Sequence, residues 1–203
     1  MQRSDLVYAI EVIGARGEGQ DRARVFERDG GLVIALADGA GGTAHGADAA
    51  QAIVDAAGRL ELAAFDGCAL LSALDRDGVR AIRGQSTAVL VAVRGDQIEG
   101  ASVGDSGAWR LGGSDAVELT SDQVRKPLVG AGCVPVRIPA TRLDRGTLLV
   151  ASDGLWRYAK PGDITRLACG DDLSVAARAL VDLVRLPGGK LQDDVAVVLC
   201  RRW

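Results

Sequence analysis

Histidine occurs once, at His45, and the four cysteines, Cys68, Cys133, Cys169 and Cys200, lie far apart with no CxxC pair. One imidazole excludes a His-rich zinc site and makes any Ser-His-Asp triad depend on that residue alone. A chain of 203 residues, 48% of them hydrophobic, does not need disulfide staples. The thiols are therefore expected to be reduced and mostly buried. No run approaches the ~18–20 apolar residues needed to cross a bilayer. Asp5 and Glu11 interrupt the N-terminal apolar stretch, which argues against a secretory signal. A cytoplasmic protein without a membrane partner is expected. Lys and Arg total 24 against 27 Asp and Glu, a net charge of −3, and no basic cluster stands out. Nucleic acid is thereby disfavoured, since neutralising phosphates needs a basic surface. Repeats, low-complexity tracts and linkers are missing too, so residues 1–203 read as a single domain, a monomer.

What is present is an alternation of short apolar runs and Gly-rich breaks. LVYAIEVI at 6–13 reads as a strand. GARGEGQDRARV after it is polar and Gly-rich, and GLVIALA at 31–37 has the length and composition of a strand buried on both faces. TAHGADAAQAIVDAAGRL is helix-forming, as is the stretch 66–82 despite its glycines. STAVLVAVRGDQIEGASVGDSGAWRL holds three apolar runs separated by RGDQ and GDSG, breaks of hairpin type. Residues 121–146 read as a loop with one short strand. GTLLVASDGLW is another strand stopped by Asp-Gly, LSVAARALVDLVR is an amphipathic helix with Leu173, Ala176, Ala177, Leu180 and Val184 on one stripe, and DDVAVVLCRRW closes the chain as a strand. The fold class is α+β.

Asp-Gly is a common turn dipeptide for backbone reasons alone. Asp38 and Asp153 differ because each directly follows a buried-looking strand, in LVIALADG and LLVASDG. A carboxylate at the end of an apolar strand needs a partner, and no cationic residue lies just N-terminal to Asp38. A metal ion is a natural one, and oxygen-only sites suit Mg2+ and Mn2+. Asp21, in GQDRARV, and Asp193 with Asp194, at the start of the last strand, add carboxylates at strand ends. Several such groups converging on one point would suit a hydrolytic two-metal site.

In order along the chain, these segments resemble the motifs of the metal-dependent protein serine/threonine phosphatases of type 2C. GARGEGQDRARV resembles the family's opening Arg and Asn-Glu/Gln-Asp segment, and LADGAGG with its Ala-rich helix resembles the Asp-Gly-x-Gly-Gly block. QSTAVLVAV is similar to the Gly-Ser/Thr-Thr-Ala strand, GASVGDSGAWRL to the Gly-Asp-Ser-Arg hairpin, and LTSDQ to the piece after it. VASDGLW and DDVAVVL resemble the last two metal motifs. The resemblance implies a four-layer αββα sandwich, two antiparallel β-sheets flanked by helices, holding two Mn2+ or Mg2+ ions. By position, Asp38 would bridge the metals, the Gly39 carbonyl would ligate one, and Asp153 and Asp193 would complete the other. Asp21 would hold a metal-bound water, and Arg16 would bind substrate phosphate through its guanidinium fork. The implied reaction is hydrolysis of phosphoserine or phosphothreonine on proteins by a metal-activated water, with a phosphorylated protein as substrate and a cognate kinase as partner.

Some positions depart from the family pattern. Ala40 follows Asp38-Gly39 where some members have His, Gln20 stands where some have an acidic ligand, and GDSG replaces Gly-Asp-Ser-Arg. The stretch from Leu119 to Arg145 is too short for the usual flap. In the last motif Asp194 matches an Asn position, where a polar side chain supports the loop while Asp193 meets the metal. His45, Trp109 and Trp156 are expected in structural roles. Two alternatives stand beside the phosphatase: a non-hydrolysing pseudophosphatase of the same fold, used for binding or sensing, and a dinucleotide-binding domain. The latter rests on Gly39-x-Gly41-x-x-Ala44 between a strand and a helix.

Overall fold

The run GLVIALAD forms a strand, Gly31–Asp38, whose first seven residues are all buried, because both of its faces are covered. The structure is a computed structural model and describes residues 5–40, 45–112 and 115–203. The chain begins with strands β1 (Leu6–Ile13), β2 (Asp21–Arg28) and β3 (Gly31–Asp38), followed by helix α1 (Gly46–Ala57). A helical run follows: α2 (Gly67–Ala73), a π-helical turn (Leu74–Gly78) and α3 (Val79–Ile82). Strands β4 (Ala88–Arg94), β5 (Gln97–Val103), β6 (Gly107–Gly112), β7 (Asp115–Glu118), β8 (Val136–Arg142) and β9 (Thr147–Ala151) come next. Helices α4 (Asp153–Trp156), α5 (Pro161–Ala168) and α6 (Leu173–Leu183) then lead to strand β10 (Val195–Arg202).

Two five-stranded sheets result, in the orders β1-β10-β9-β6-β7 and β2-β3-β4-β5-β8. Every pairing within them is antiparallel. Period-2 alternation sorts the side chains into three apolar layers. Leu32, Ile34 and Leu36 of β3 meet Val198 and Cys200 of β10 between the sheets. Ala35 and Ala37, on the other face of β3, pack against Ile53 and Val54 of α1. Leu149 of β9 and Val197 and Leu199 of β10 pack against Ala177, Leu180 and Val181 of α6. This is the four-layer αββα sandwich.

The structure departs from the sequence expectations at several points. The polar passage 14–25 hides β2, an edge strand that turns Ala23 and Val25 to the inter-sheet core. Its other face carries Arg24, whose guanidinium lies over the Phe26 ring at 5.0 Å, so composition alone reads as loop. The exposed edge strand β7 has no burial signal either. GDSG is not a hairpin turn: β5 ends in one sheet and β6 begins in the other. The thiols are less buried than expected, with Cys200 buried, Cys68 and Cys133 partly buried and Cys169 exposed; all four are unpaired. The final strand starts at Val195, one residue after Asp194. An all-antiparallel sheet around β3 leaves no βαβ unit for the dinucleotide-binding alternative; Gly41 and Ala44 of its fingerprint lie outside the described residues. Among the described residues no helix is long and apolar enough to cross a membrane.

Candidate active site

The carboxylates gather where the sheets present strand ends to one another. Asp21 opens β2 and Asp38 closes β3, and the antiparallel register places them directly opposite. The backbone of Asp38 is fixed from β4's side: its N–H donates to Thr87 Oγ1 at 3.0 Å, and its carbonyl accepts from Ser86 Oγ at 2.8 Å. Gly39 is needed for close packing. A Cβ there would lie 2.4 Å from the Gly46 carbonyl oxygen, so only glycine lets the first turn of α1 abut Asp38-Gly39.

From the other sheet, β9 delivers Asp153 to the start of α4, and Asp193 precedes β10. Ser152 ties these two ends together, its N–H donating to the Ala196 carbonyl and its Oγ accepting from the Ala196 N–H at 2.9 Å. Asp38, Gly39, Asp153 and Asp193 line one cavity of about 280 Å³. Asp21 lies behind it, 2% exposed, and its Oδ2 has no hydrogen-bond partner. Arg16 is exposed and lines an adjoining cavity of about 510 Å³, which shares Gln20, Asp193 and Asp194 with the first. The loop carrying Arg16 is held by Asp194, whose Oδ1 accepts from the Ala15 N–H at 2.7 Å and whose Oδ2 accepts from the Gln20 N–H. Asp193 and Asp194 thus face different surroundings.

Electrostatics set this cluster apart from surface carboxylates. Burial, and then each other's charge, pushes Asp38 far above the usual carboxylate range. Asp21 is raised as well, by burial first and by the charges of Asp194 and Asp153, against a hydrogen bond from Ser152. Asp153 is pushed up to about 6 by burial, although Arg157 beside it pulls the other way. Burial and like charge raise these carboxylates together, which marks a cluster short of positive charge. Among the described residues no three acidic, His or Cys groups are drawn together tightly enough to enclose an ion. Arg157 pairs with both Asp153 and Asp193. The unpartnered Asp21 oxygen, the raised carboxylates and an all-oxygen donor set fit Mg2+ or Mn2+.

Three further residues line the cavity that sequence reasoning passed over. Asp105 sits at the sheet-to-sheet crossing after Gly104, in the GDSG motif. Arg157, four residues after Asp153, reaches Asp153 Oδ2 at 2.9 Å, Asp193 Oδ2 at 3.6 Å and Asp105 Oδ2 at 3.7 Å. Thr87 bonds the Ser106 hydroxyl at 2.7 Å besides holding Asp38. The signal for Arg157 was the i,i+4 spacing on a helix begun by Asp153. His45 points away from any such role, pairing with Asp48 on the exposed start of α1. Trp109 and Trp156 stack with centroids 5.2 Å apart, and Trp156 donates to the Ala151 carbonyl, as expected of packing residues.

This architecture is shared with bacterial serine/threonine phosphatases of known structure. The catalytic domain of the serine/threonine protein phosphatase PstP, in complex with two manganese ions, superposes with a TM-score of 0.78 at 22% identity, over 97% of each chain. Phosphatase Stp1 from Staphylococcus aureus gives 0.78 at 19% identity, over 98% of this chain and 95% of that one. PppA of Pseudomonas aeruginosa, described as a key regulatory component of its T6SS, gives 0.77 at 22% identity over 98% of both. No protein-family model and no curated protein matches the chain by sequence. The fold is that of the type 2C serine/threonine phosphatases.

Proposed function

We propose that this protein hydrolyses phosphoserine and phosphothreonine on proteins, with two Mn2+ or Mg2+ ions at the Asp38–Asp153–Asp193 cluster, as a single catalytic unit over residues 1–203. The observation that carries this is the convergence of carboxylates from the ends of both sheets, several raised by burial and like charge and one with an unpartnered oxygen, in a phosphatase fold. Asp38, the Gly39 carbonyl, Asp153 and Asp193 are the groups that would hold the cations. Such ions, when bound, activate water as a nucleophile and neutralise charge on the phosphoryl oxygens. Phosphomonoester hydrolysis is slow enough in water to require acceleration towards ~10²¹-fold, which demands this kind of charge stabilisation.

The chain's own residues supply the rest. Arg16 offers a two-pronged donor to the phosphate at the rim of the cavity, in a position reachable by a protein-borne phosphate. Asp21 Oδ2, buried and without a hydrogen-bond partner, is the group that would hold a water at the cluster. Ser86 and Thr87 hold the Asp38 backbone so that its carboxylate is presented without reorganisation. Ala40 supplies no acid, so the leaving alkoxide takes its proton from solvent. The partner is a phosphoprotein, with a cognate serine/threonine kinase upstream; the unpaired cysteines suit the reducing cytoplasm. Gln20 and Ala40 would suit the non-hydrolysing alternative, but Asp38, Asp153 and Asp193 are all present and line the same cavity, which supports hydrolysis.

The test is hydrolysis of p-nitrophenyl phosphate and of a phosphothreonine peptide with Mn2+, Mg2+ or EDTA. Turnover that requires either ion and stops in EDTA is expected. A folded protein that is inactive with both ions overturns the proposal.

A further inference from the structure

The carboxylate cluster divides into two halves with different counter-charges. Among the described residues, neither Asp21 nor Asp38, the inner pair, is in an ion pair, and Asp21 Oδ2 is unpartnered. The outer group, Asp105, Asp153 and Asp193, is spanned by the Arg157 guanidinium, with contacts at 3.7, 2.9 and 3.6 Å respectively. Trp156, the residue before, is clamped by its stack on Trp109 and its bond to the Ala151 carbonyl, so the turn that carries Arg157 is fixed. Arg157 also borders a second cavity of about 370 Å³ on the far side of Asp105 and Asp153, so its fork partitions the two spaces.

We propose that Arg157 is a resident counter-cation of the outer carboxylates, which weakens the metal ion held by Asp153 and Asp193 more than an ion held nearer Asp38. This rests on the two-metal reading above. A divalent ion sharing Asp153 and Asp193 must compete with a guanidinium already bonded to both, and then sit beside its positive charge. Asp38 forms no ion pair with Arg157, so an ion held there by Asp38 and the Gly39 carbonyl faces less competition. Metal occupancy, rather than the fold, then becomes the variable that Arg157 tunes. The second cavity gives the displaced fork somewhere to go without leaving the site.

The experiment is calorimetric titration of the metal-free protein with Mn2+, for the wild type, Arg157→Gln, Arg157→Met and Arg157→Lys. Arg157 is half exposed, so the variants should fold, and circular dichroism checks that they do. Both neutral variants should tighten one of the two Mn2+ ions by about tenfold or more, and the other by less than about threefold. Arg157→Lys, which keeps the charge, should stay within about threefold of wild type. In an Asp193→Asn background the gain should vanish. Neutral variants in which neither Mn2+ tightens, or equal tightening in Arg157→Lys, overturn the proposal while wild-type Mn2+ binding leaves the phosphatase reading standing. No Mn2+ binding by any of the proteins overturns both.

Discussion

Neighbouring aspartates at the end of one loop should fail in opposite ways when each is made neutral. Asp194 uses both carboxylate oxygens on backbone donors, Ala15 and Gln20, and so closes the loop that carries Arg16. Asp194→Asn keeps one acceptor and turns an amide NH2 towards the other N–H. One charge-assisted hydrogen bond, worth ~1.5–3 kcal/mol, is lost, and a partly buried donor is left unsatisfied at ~1–3 kcal/mol more. Relaxation of the loop recovers part of this, so a net loss of about 2–3 kcal/mol is expected. For a domain of this size that lowers Tm by about 4–12 °C. Asp193 has a side chain 43% exposed, bonded to the adjacent Asp194 N–H and paired with Arg157. Asp193→Asn should leave Tm of the metal-free protein nearly unchanged and remove most affinity for one of the two Mn2+ ions. Thermal melts of the metal-free proteins, alongside Mn2+ titrations, separate the two effects. Equal melting of Asp194→Asn and wild type would refute the loop-closing role. A Mn2+ titration of Asp193→Asn indistinguishable from wild type would refute the ligand register.

Asp38→Asn should abolish hydrolysis while preserving the far-UV spectrum, since it removes charge from a buried cluster that suffers from too much of it; wild-type turnover at saturating Mn2+ would end the assignment. Arg16→Ala should raise KM for phosphopeptide by about tenfold with a smaller change in kcat, because phosphate is bound before and during reaction; steady-state kinetics showing both constants unchanged would remove Arg16 from the site. Asp153 has its folded pKa raised from 3.8 to about 6, so the stability it contributes is present below about pH 4 and lost as pH rises through about 6, up to ~3 kcal/mol. Burial pushes Asp21 and Asp38 in the same direction. Mn2+ should therefore raise Tm more at about pH 8 than at about pH 5, where protons compete for the same oxygens; equal Tm shifts at both would contradict this. Gly39→Ala should impair metal binding and activity together, because its Cβ would collide with the Gly46 carbonyl; a variant with wild-type Mn2+ affinity would show that α1 can give way.

Local pattern carried much of the fold. β1, β3 and α6 were legible because burial on one or both faces writes an unambiguous period into the residues, and β4, β9 and β10 for the same reason. β2 was not, since an edge strand needs only Ala23 and Val25 facing inward and is free to carry arginines outward. Strand-end aspartates were legible as candidates because a carboxylate after an apolar run has no cheap explanation.

The sequence by itself determined which residue types stood at the strand ends: Asp38 after GLVIALA, Asp153 after TLLVA, Asp193 before VAVVLC. Hydrophobic periodicity is local, so it states where strands stop and what stands there. Only the tertiary structure decided which of those ends meet. The crossing at GDSG sends β5 and β6 to different sheets and so carries Asp105 into the cluster, a placement no local pattern encodes. The packing of β9 beside β10 brings Asp153 and Asp193, forty residues apart in sequence, onto one arginine. Burial and charge crowding, which raise Asp38 and Asp153, are sums over neighbours distant along the chain, and those sums exist only once the two sheets have closed on each other.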